Sequence, residues 1–319
     1  MTNQPDKTHP TSTADRKSPF PTAQTLYRVV GLRKDFERIL QSTFRATAAQ
    51  PTPEEALATR HILNATAPVD LVRLASISRG VVQLFWIQRM DEAGAAALPS
   101  ITRRLKSCQS IDNEDERRLV VERLVSALKR LGEPGGQALL ACFNNLDDYG
   151  QSMAAVTLGA MRVAAAADPI WRFFQREKKA SQAGYFVGAL WGLIDLGDAR
   201  AAEAVAELLA AEPELLFAEL YPFAALAGGG ACVGPLTARF VAALEGRDHY
   251  DGERDDILMA LAAIGQRIGQ EEYKSLLHGL LESEDSANLI ANVAVERPPQ
   301  EVAHYFQMYT ERPFDDQAA

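Results

Sequence analysis

Apolar residues recur every three to four positions along most of the chain, and this period is typical of helices with one buried face. Between residues 25 and 49 they form a single stripe, made of Leu26, Val29, Val30, Leu32, Phe36, Ile39, Leu40 and Phe44. Runs of β-branched residues of the kind found in strands are absent from the sequence. The pattern therefore predicts an all-α protein.

Two places carry local signals for the start of a helix. Thr52 has the position of an N-cap, Pro53 that of the first helical residue, and Glu55 is placed to reach back to the cap. Asp168-Pro169 is a second combination of a cap and a first-turn proline. Between these signals, the apolar pattern of Val69–Asp91 predicts one continuous helix.

Between residues 131 and 268, helical segments repeatedly end in an apolar residue and a glycine, followed by a small or acidic restart. The corresponding glycines are Gly132, Gly197, Gly228 and Gly265, separated by 65, 31 and 37 residues. The first interval is about two units long, with a missing copy of the repeat near Ala164. A repeat of roughly 30–47 residues built from helix pairs is typical of an α-solenoid.

The repeat divides the chain into five parts. Residues 1–24 are rich in Thr, Pro, Ser and Lys and predict a disordered tail. Residues 25–92 match the repeat poorly, as expected of N-terminal capping helices, and residues 93–283 hold the repeats. Residues 284–310 predict C-terminal capping helices, and 311–319 a second tail.

Charge is distributed unevenly along the chain. The whole sequence carries −9, whereas residues 1–130 hold 20 Lys/Arg and 14 Asp/Glu, and residues 195–319 hold 8 and 23. A field of one sign steers partners of the opposite sign. We therefore expect the C-terminal end to bind a protein with a basic surface, through a candidate set of five acids: Glu203, Glu207, Glu253, Asp255 and Asp256.

Motifs of catalysis are absent from the sequence: it contains no GxxxxGKS/T, GxSxG, HExxH or CxxC pattern. None of the five histidines is followed by Glu, which excludes the paired His-Glu ligands of a di-iron site. The densest polar cluster holds His249, Asp251, Glu253, Asp255 and Asp256, and it is either a loose divalent-cation site or a solvated loop. We predict no catalytic residue, cofactor or metal.

Cellular location follows from two features. The N-terminus has no apolar signal segment, and Cys108, Cys142 and Cys232 are too far apart for metal or redox pairs, which favours reduced thiols in a cytoplasmic protein. The 19 uncharged residues 220–238 approach a membrane-spanning length. They contain two prolines and four glycines, however, which predict a helix–turn–helix junction instead.

The three tryptophans, Trp86, Trp171 and Trp191, allow a remote alternative, base stacking in a nucleic-acid-binding protein. Phosphate contacts need a basic face, however, and this chain becomes more acidic where its repeats are clearest. We expect the tryptophans to pack in the core, with Trp191 largely buried because residues 180–194 carry no charge.

The sequence around Asp147-Asp148, which continues to "AAVTLGAM", and the later "GALWGLIDLGD" resemble HEAT repeats of the short kind also found in phycobilisome-lyase-like proteins. The resemblance covers residues 84–281. In that family the turn Asp is usually followed by a basic residue early in the second helix, which forms a ladder between units. Here the place after Asp147 holds Gln151 or Ser152.

The resemblance implies an armadillo-like superhelix of stacked antiparallel helix pairs that acts as a non-catalytic scaffold for protein partners. It leaves one alternative open, an auxiliary subunit of a bilin lyase or a pigment-protein assembly factor. The sequence shows no acid, base or nucleophile for that chemistry.

Overall fold

The computed structural model describes residues 52–80, 82–180, 184–211, 217–280, 290 and 297–305. Every regular element within these ranges is helical, and no strand occurs in them. This confirms the all-α prediction. Both predicted tails, the predicted helix of residues 25–49 and most of the predicted C-terminal cap lie outside the described residues.

Short 3₁₀ turns connect several of the α-helices. In chain order the helices are α1 (Pro53–Asn64), α2 (Pro68–Arg73), α3 (Val82–Ala93), α4 (Leu98–Lys106), α5 (Glu114–Arg130), α6 (Glu133–Cys142), α7 (Asp148–Ala160), α8 (Ala167–Ala180), α9 (Phe186–Leu196), α10 (Arg200–Ala210), α11 (Phe217–Ala227), α12 (Val233–Leu244), α13 (Glu253–Ile268), α14 (Gln270–Leu280) and α15 (Pro299–Tyr305).

Alternate helices contact one another. Each odd-numbered helix from α1 to α13 packs against the next odd-numbered helix. Among the even-numbered helices, α4 packs against both α2 and α6, and α12 packs against both α10 and α14. Each even-numbered helix from α2 to α12 also packs against the odd-numbered helix that follows it. The buried apolar side chains form one continuous cluster from Ile62 to Val302. The core therefore lies between helices that are close in sequence.

Several odd-numbered helices end at a residue in the left-handed backbone region, where φ is positive. These residues follow α3, α5, α7, α9 and α13: Gly94, Gly132, Arg162, Gly197 and Gly269. Glycine adopts this conformation without a steric penalty, whereas Arg162, with φ of 56°, is the unusual case. Arg162 lies close to Ala164, near which the missing copy of the sequence repeat was expected. Gly265, in contrast, lies inside α13, so the predicted fourth turn is wrong and Gly269 ends that helix.

Helices α7 and α9 share the most extensive contact between two described helices. Small residues make their close approach possible. A Cβ atom added to Gly192 would lie 2.5 Å from the carbonyl oxygen of Ala155, and one added to Gly159 would lie 2.6 Å from the Cα of Gly192. On the same side, a Cβ on Gly188 would lie 2.6 Å from the carbonyl oxygen of Ser152. The two backbones are therefore in direct contact, and no larger side chain fits between them.

The predicted start of α1 is confirmed. The backbone N–H of Thr52 donates to the Glu55 carboxylate over 3.0 Å, and the Glu55 N–H donates to the Thr52 hydroxyl over 3.1 Å. The second predicted start is wrong by two residues, because α8 begins at Ala167 and includes Asp168.

The single helix predicted over Val69–Asp91 is wrong. Helix α2 ends at Arg73, a 3₁₀ turn follows, and the chain reverses before α3. The fully buried Ser78 stabilises this break: its hydroxyl donates to the carbonyl of Ala75 over 2.8 Å, and its own carbonyl accepts from Arg123 on α5 over 3.0 Å. The contact from α5 is remote in sequence, so no local pattern indicates it.

No helix in the described ranges is both long enough and apolar enough to cross a bilayer. The uncharged stretch 220–238 forms the end of α11, a 3₁₀ turn over Gly230–Cys232 and the start of α12, which confirms the predicted junction. Cys108, Cys142 and Cys232 are free and buried, and burial raises the pKa of each thiol.

Candidate functional site

The five acids predicted to form a partner-binding end lie on two helices from different rows. Glu203 and Glu207 are exposed on α10, four residues apart and so on one face. The other three lie in the first turn of α13, where carboxylates favour the positive end of the helix dipole. α10 packs in the even-numbered row and α13 in the odd-numbered row, so the acids form two patches rather than one.

Three of these acids have partners inside the protein. Glu207 accepts from the ammonium group of Lys178 over 2.6 Å, and this ion pair links α8 to α10. Asp256 is half-buried and accepts hydrogen bonds from the hydroxyls of Tyr250 and Tyr305, which ties α15 to α13. Glu253, the third, is fully buried. Glu203 and Asp255 are exposed.

Glu253 is the centre of a buried polar network. Its carboxylate accepts from the Tyr221 hydroxyl over 2.6 Å, from the Arg239 guanidinium over 2.9 and 2.7 Å, and from the backbone N–H of His249 over 2.7 Å. Burial opposes ionisation of this carboxyl, but the hydrogen bonds outweigh it and hold its pKa below the ordinary value. Glu253 therefore fixes the loop between α12 and α13 and does not face a partner.

The polar loop between α12 and α13 does not assemble into a metal site. Among the described residues, no group of three His, Cys, Asp or Glu side chains could hold an ion. A cleft of about 680 Å³ is present, lined among others by Asp248, His249, Asp251 and Asp255. Asp248 pairs with Arg254 over 2.7 Å, and this hydrogen-bonded pair lowers the pKa of the Asp248 carboxyl.

The structure also brings together a cluster that sequence reasoning missed. Arg118 on α5 donates to the Tyr185 hydroxyl over 3.0 Å, and its guanidinium carbon lies 5.2 Å from the centre of the Tyr149 ring on α7. The two tyrosine rings meet edge to face at 6.2 Å. The Tyr149 hydroxyl donates to Glu122, and burial together with this carboxylate raises the pKa of Tyr149.

Arg118, Tyr149 and Tyr185 come from successive helix pairs, 31 and 36 residues apart. An alignment of the repeat units was the one signal that could have indicated their proximity. Chemically, these groups pair with one another between α5, α7 and the residue before α9, and none is placed as an activated nucleophile or base. The cluster therefore joins α5 and α7 to the start of α9.

The tryptophans occupy three different environments. Trp86 is fully buried and donates its indole N–H to the carbonyl of Leu71 over 2.7 Å, so it cannot stack on a base. Trp171 lies between the Phe174 ring and the guanidinium group of Arg200. Trp191 is partly buried and meets Phe223 edge to face at 4.5 Å, so it is less enclosed than its uncharged helix predicts.

Comparisons of the chain with protein-family profiles, with curated proteins and with solved structures gave no match.

Proposed function

We propose that this chain is an α-solenoid of HEAT-like helix pairs that acts as a non-catalytic scaffold for protein partners. One observation carries the proposal: each helix packs mainly against helices one or two places away in the sequence. Stacks of this kind grow by adding units and present extended surfaces for binding. A residue with positive φ follows five of the odd-numbered helices, α3, α5, α7, α9 and α13, and this recurrence supports a repeating unit.

An ion pair between units supports the resemblance to HEAT repeats. Asp147 caps α7 by accepting from the N–H of Gly150, and its other carboxylate oxygen accepts from Arg117 over 2.8 Å. Arg117 lies early in α5, the second helix of the preceding pair. The basic partner that seemed missing after Asp147 thus comes from the neighbouring unit, as in a ladder of turn acids and basic residues.

Binding of a basic partner is proposed for the exposed acids alone. Glu203 and Asp255 are exposed, and Glu207 is exposed although it pairs with Lys178. Glu253 is removed from the candidate set because it is fully buried, and Asp256 because it is half-buried and bonded to two tyrosines. Surface charges of this kind act mainly on the association rate and lose their effect as salt screens them, with a Debye length of about 10 Å at ~0.1 M.

Affinity capture from the source cells, followed by mass spectrometry, tests the proposal. The acid variant carries Glu203→Gln, Glu207→Gln and Asp255→Asn. A matched control removes three exposed acids from the first half of the chain: Asp112→Asn, Asp115→Asn and Glu133→Gln. We expect the parent and the control to retain the same protein, and the acid variant to lose it.

Retention should also decrease as salt rises. Capture of that protein at equal yield by all three chains, independent of salt, would show that the acids are not the interface. If no chain retains a specific protein, the scaffold proposal itself is wrong.

A further inference from the structure

The N-terminal end of the described chain carries an open apolar groove. It has a volume of about 500 Å³, and its apolar lining comes from α1, the 3₁₀ turn before the chain reversal and the start of α3: Leu57, Ala58, Ile77 and Val82. Leu57 is 52 % exposed and Ile77 is 39 % exposed. Three other large apolar side chains among the described residues are as open, Leu63, Leu244 and Leu280, but none of them lines this groove. Leu57 and Ile77 lie together in it, so the groove is an apolar patch without a cover.

We propose that residues 25–49 of the same chain form a helix that packs into this groove in cis. The described chain begins at Thr52, directly before α1, so only residues 50–52 separate the segment from the groove's first helix. Such a short link keeps the local concentration of the segment high, at roughly the millimolar level or above. The proposal does not depend on the function proposed above.

The sequence between the segment and α1 suits a reversal of direction. Pro51 disfavours a helical conformation at Gln50, and Thr52 has extended backbone angles as the N-cap of α1. Two antiparallel helices are commonly joined by a loop of about 2–5 residues. α1 has 12 residues and spans about 18 Å, so about half of the segment can lie beside it.

The apolar stripe of the segment has the spacing that the groove requires. In an antiparallel pair that turns at residues 50–52, Phe44 lies opposite Leu57 and Ala58, and Leu40 lies one turn further, opposite His61 and Ile62. Phe44, Leu40 and Phe36 follow one another at intervals of four residues, on one face of a helix. Each turn of the segment therefore presents one large apolar side chain to the groove.

Charge favours the same arrangement. Residues 25–49 contain five Arg/Lys and two Asp/Glu, whereas the rim of the groove holds Glu54 and Glu55 together with His61 and Arg79. The groove is close to neutral and the segment is positive, so no repulsion opposes docking. The two acids lie at the end of α1 where the segment must enter.

Oxidative cross-linking in the full-length chain tests the proposal. The test pair is Phe44→Cys with Leu57→Cys, and the control pair is Ser42→Cys with Leu57→Cys, because residue 42 lies on the opposite face of the predicted helix. The three native cysteines are free and buried, so they should not compete. We expect the test pair to form an intramolecular disulfide roughly tenfold faster than the control pair.

Equal rates for the two pairs would overturn the proposal, since the segment would then not present a defined face to the groove. Disulfides formed between two chains would also overturn it, because a second copy would then occupy the groove.

A second measurement uses limited digestion with trypsin after Arg45. Leu57→Asp should expose the segment and accelerate this cleavage several-fold, whereas Leu244→Asp should not, because Leu244 is 54 % exposed but remote in sequence. If both variants are cleaved at the parental rate, residues 25–49 do not dock on Leu57.

Discussion

Gly192→Ala is the substitution that most directly tests the contact between α7 and α9. The new Cβ would lie 2.5 Å from the carbonyl oxygen and 2.9 Å from the carbonyl carbon of Ala155. Both atoms belong to the backbone of α7, so rotation of a side chain cannot relieve the clash. The two helices must separate instead, and the buried residues Leu158 and Leu193 lie on the helices that would move.

The expected magnitude is the difference of two opposing effects. Overpacking in a tight core costs about 1–3 kcal/mol. Alanine is favoured over glycine in a helix interior by about 1 kcal/mol. Because the clash involves backbone atoms, we expect the first effect to dominate, with a net destabilisation of roughly 1–2 kcal/mol.

The assay is thermal unfolding followed by circular dichroism. Gly279→Ala is the matched control, since Gly279 also lies in a helix but a Cβ there would meet no atom within 4 Å. We expect the midpoint to fall for Gly192→Ala and to stay equal or rise for Gly279→Ala. A midpoint that rises equally in both variants would refute the close backbone contact between α7 and α9.

Four further substitutions test individual side chains by the same assay. Tyr273 is fully buried, and its hydroxyl has no hydrogen-bond partner among the described residues. Tyr273→Phe should therefore stabilise the protein by up to about 1 kcal/mol. A clear destabilisation would mean that the hydroxyl has a partner. Glu253→Gln should cost about 3 kcal/mol at neutral pH because it leaves the Arg239 guanidinium beside a neutral group. The pKa of Glu253 is lower in the folded than in the unfolded state, so its stabilisation is present above the unfolded pKa and is lost as pH falls through the folded value. The difference between parent and variant should therefore shrink below roughly pH 4, and a difference independent of pH would contradict this assignment. Trp86→Ala should lower the free energy of unfolding by about 3–5 kcal/mol, and Trp191→Ala by less, because Trp86 is fully buried and Trp191 is not. A larger loss for Trp191→Ala would contradict these two degrees of burial.

Local features of the structure could be predicted where the cause is local in sequence. The capping box at Thr52 needs only a Thr followed three residues later by Glu55. The junction at residues 228–235 followed from its glycines and prolines. These signals depend on residues within one or two turns of each other.

Features that depend on remote contacts could not be predicted. The break after α2 is stabilised by Arg123, which lies 45 residues away from Ser78. Glu253 looked like one acid of an exposed loop, but Arg239 and Tyr221 come from two other helices and enclose it. Nothing in the sequence around Arg162 indicates that an arginine, rather than a glycine, adopts the left-handed conformation there.

Hydrogen exchange of the native protein distinguishes a stack of units that contact mainly their neighbours from a single globular core. In such a stack, stability is approximately a sum of terms from single units and nearest-neighbour interfaces. Gly192→Ala should therefore reduce the protection of amides in α7, α9 and their immediate neighbours, while α3 and α13 keep the parental exchange rates. A uniform loss of protection from α3 to α13 would show a single globular core and contradict the stack of units.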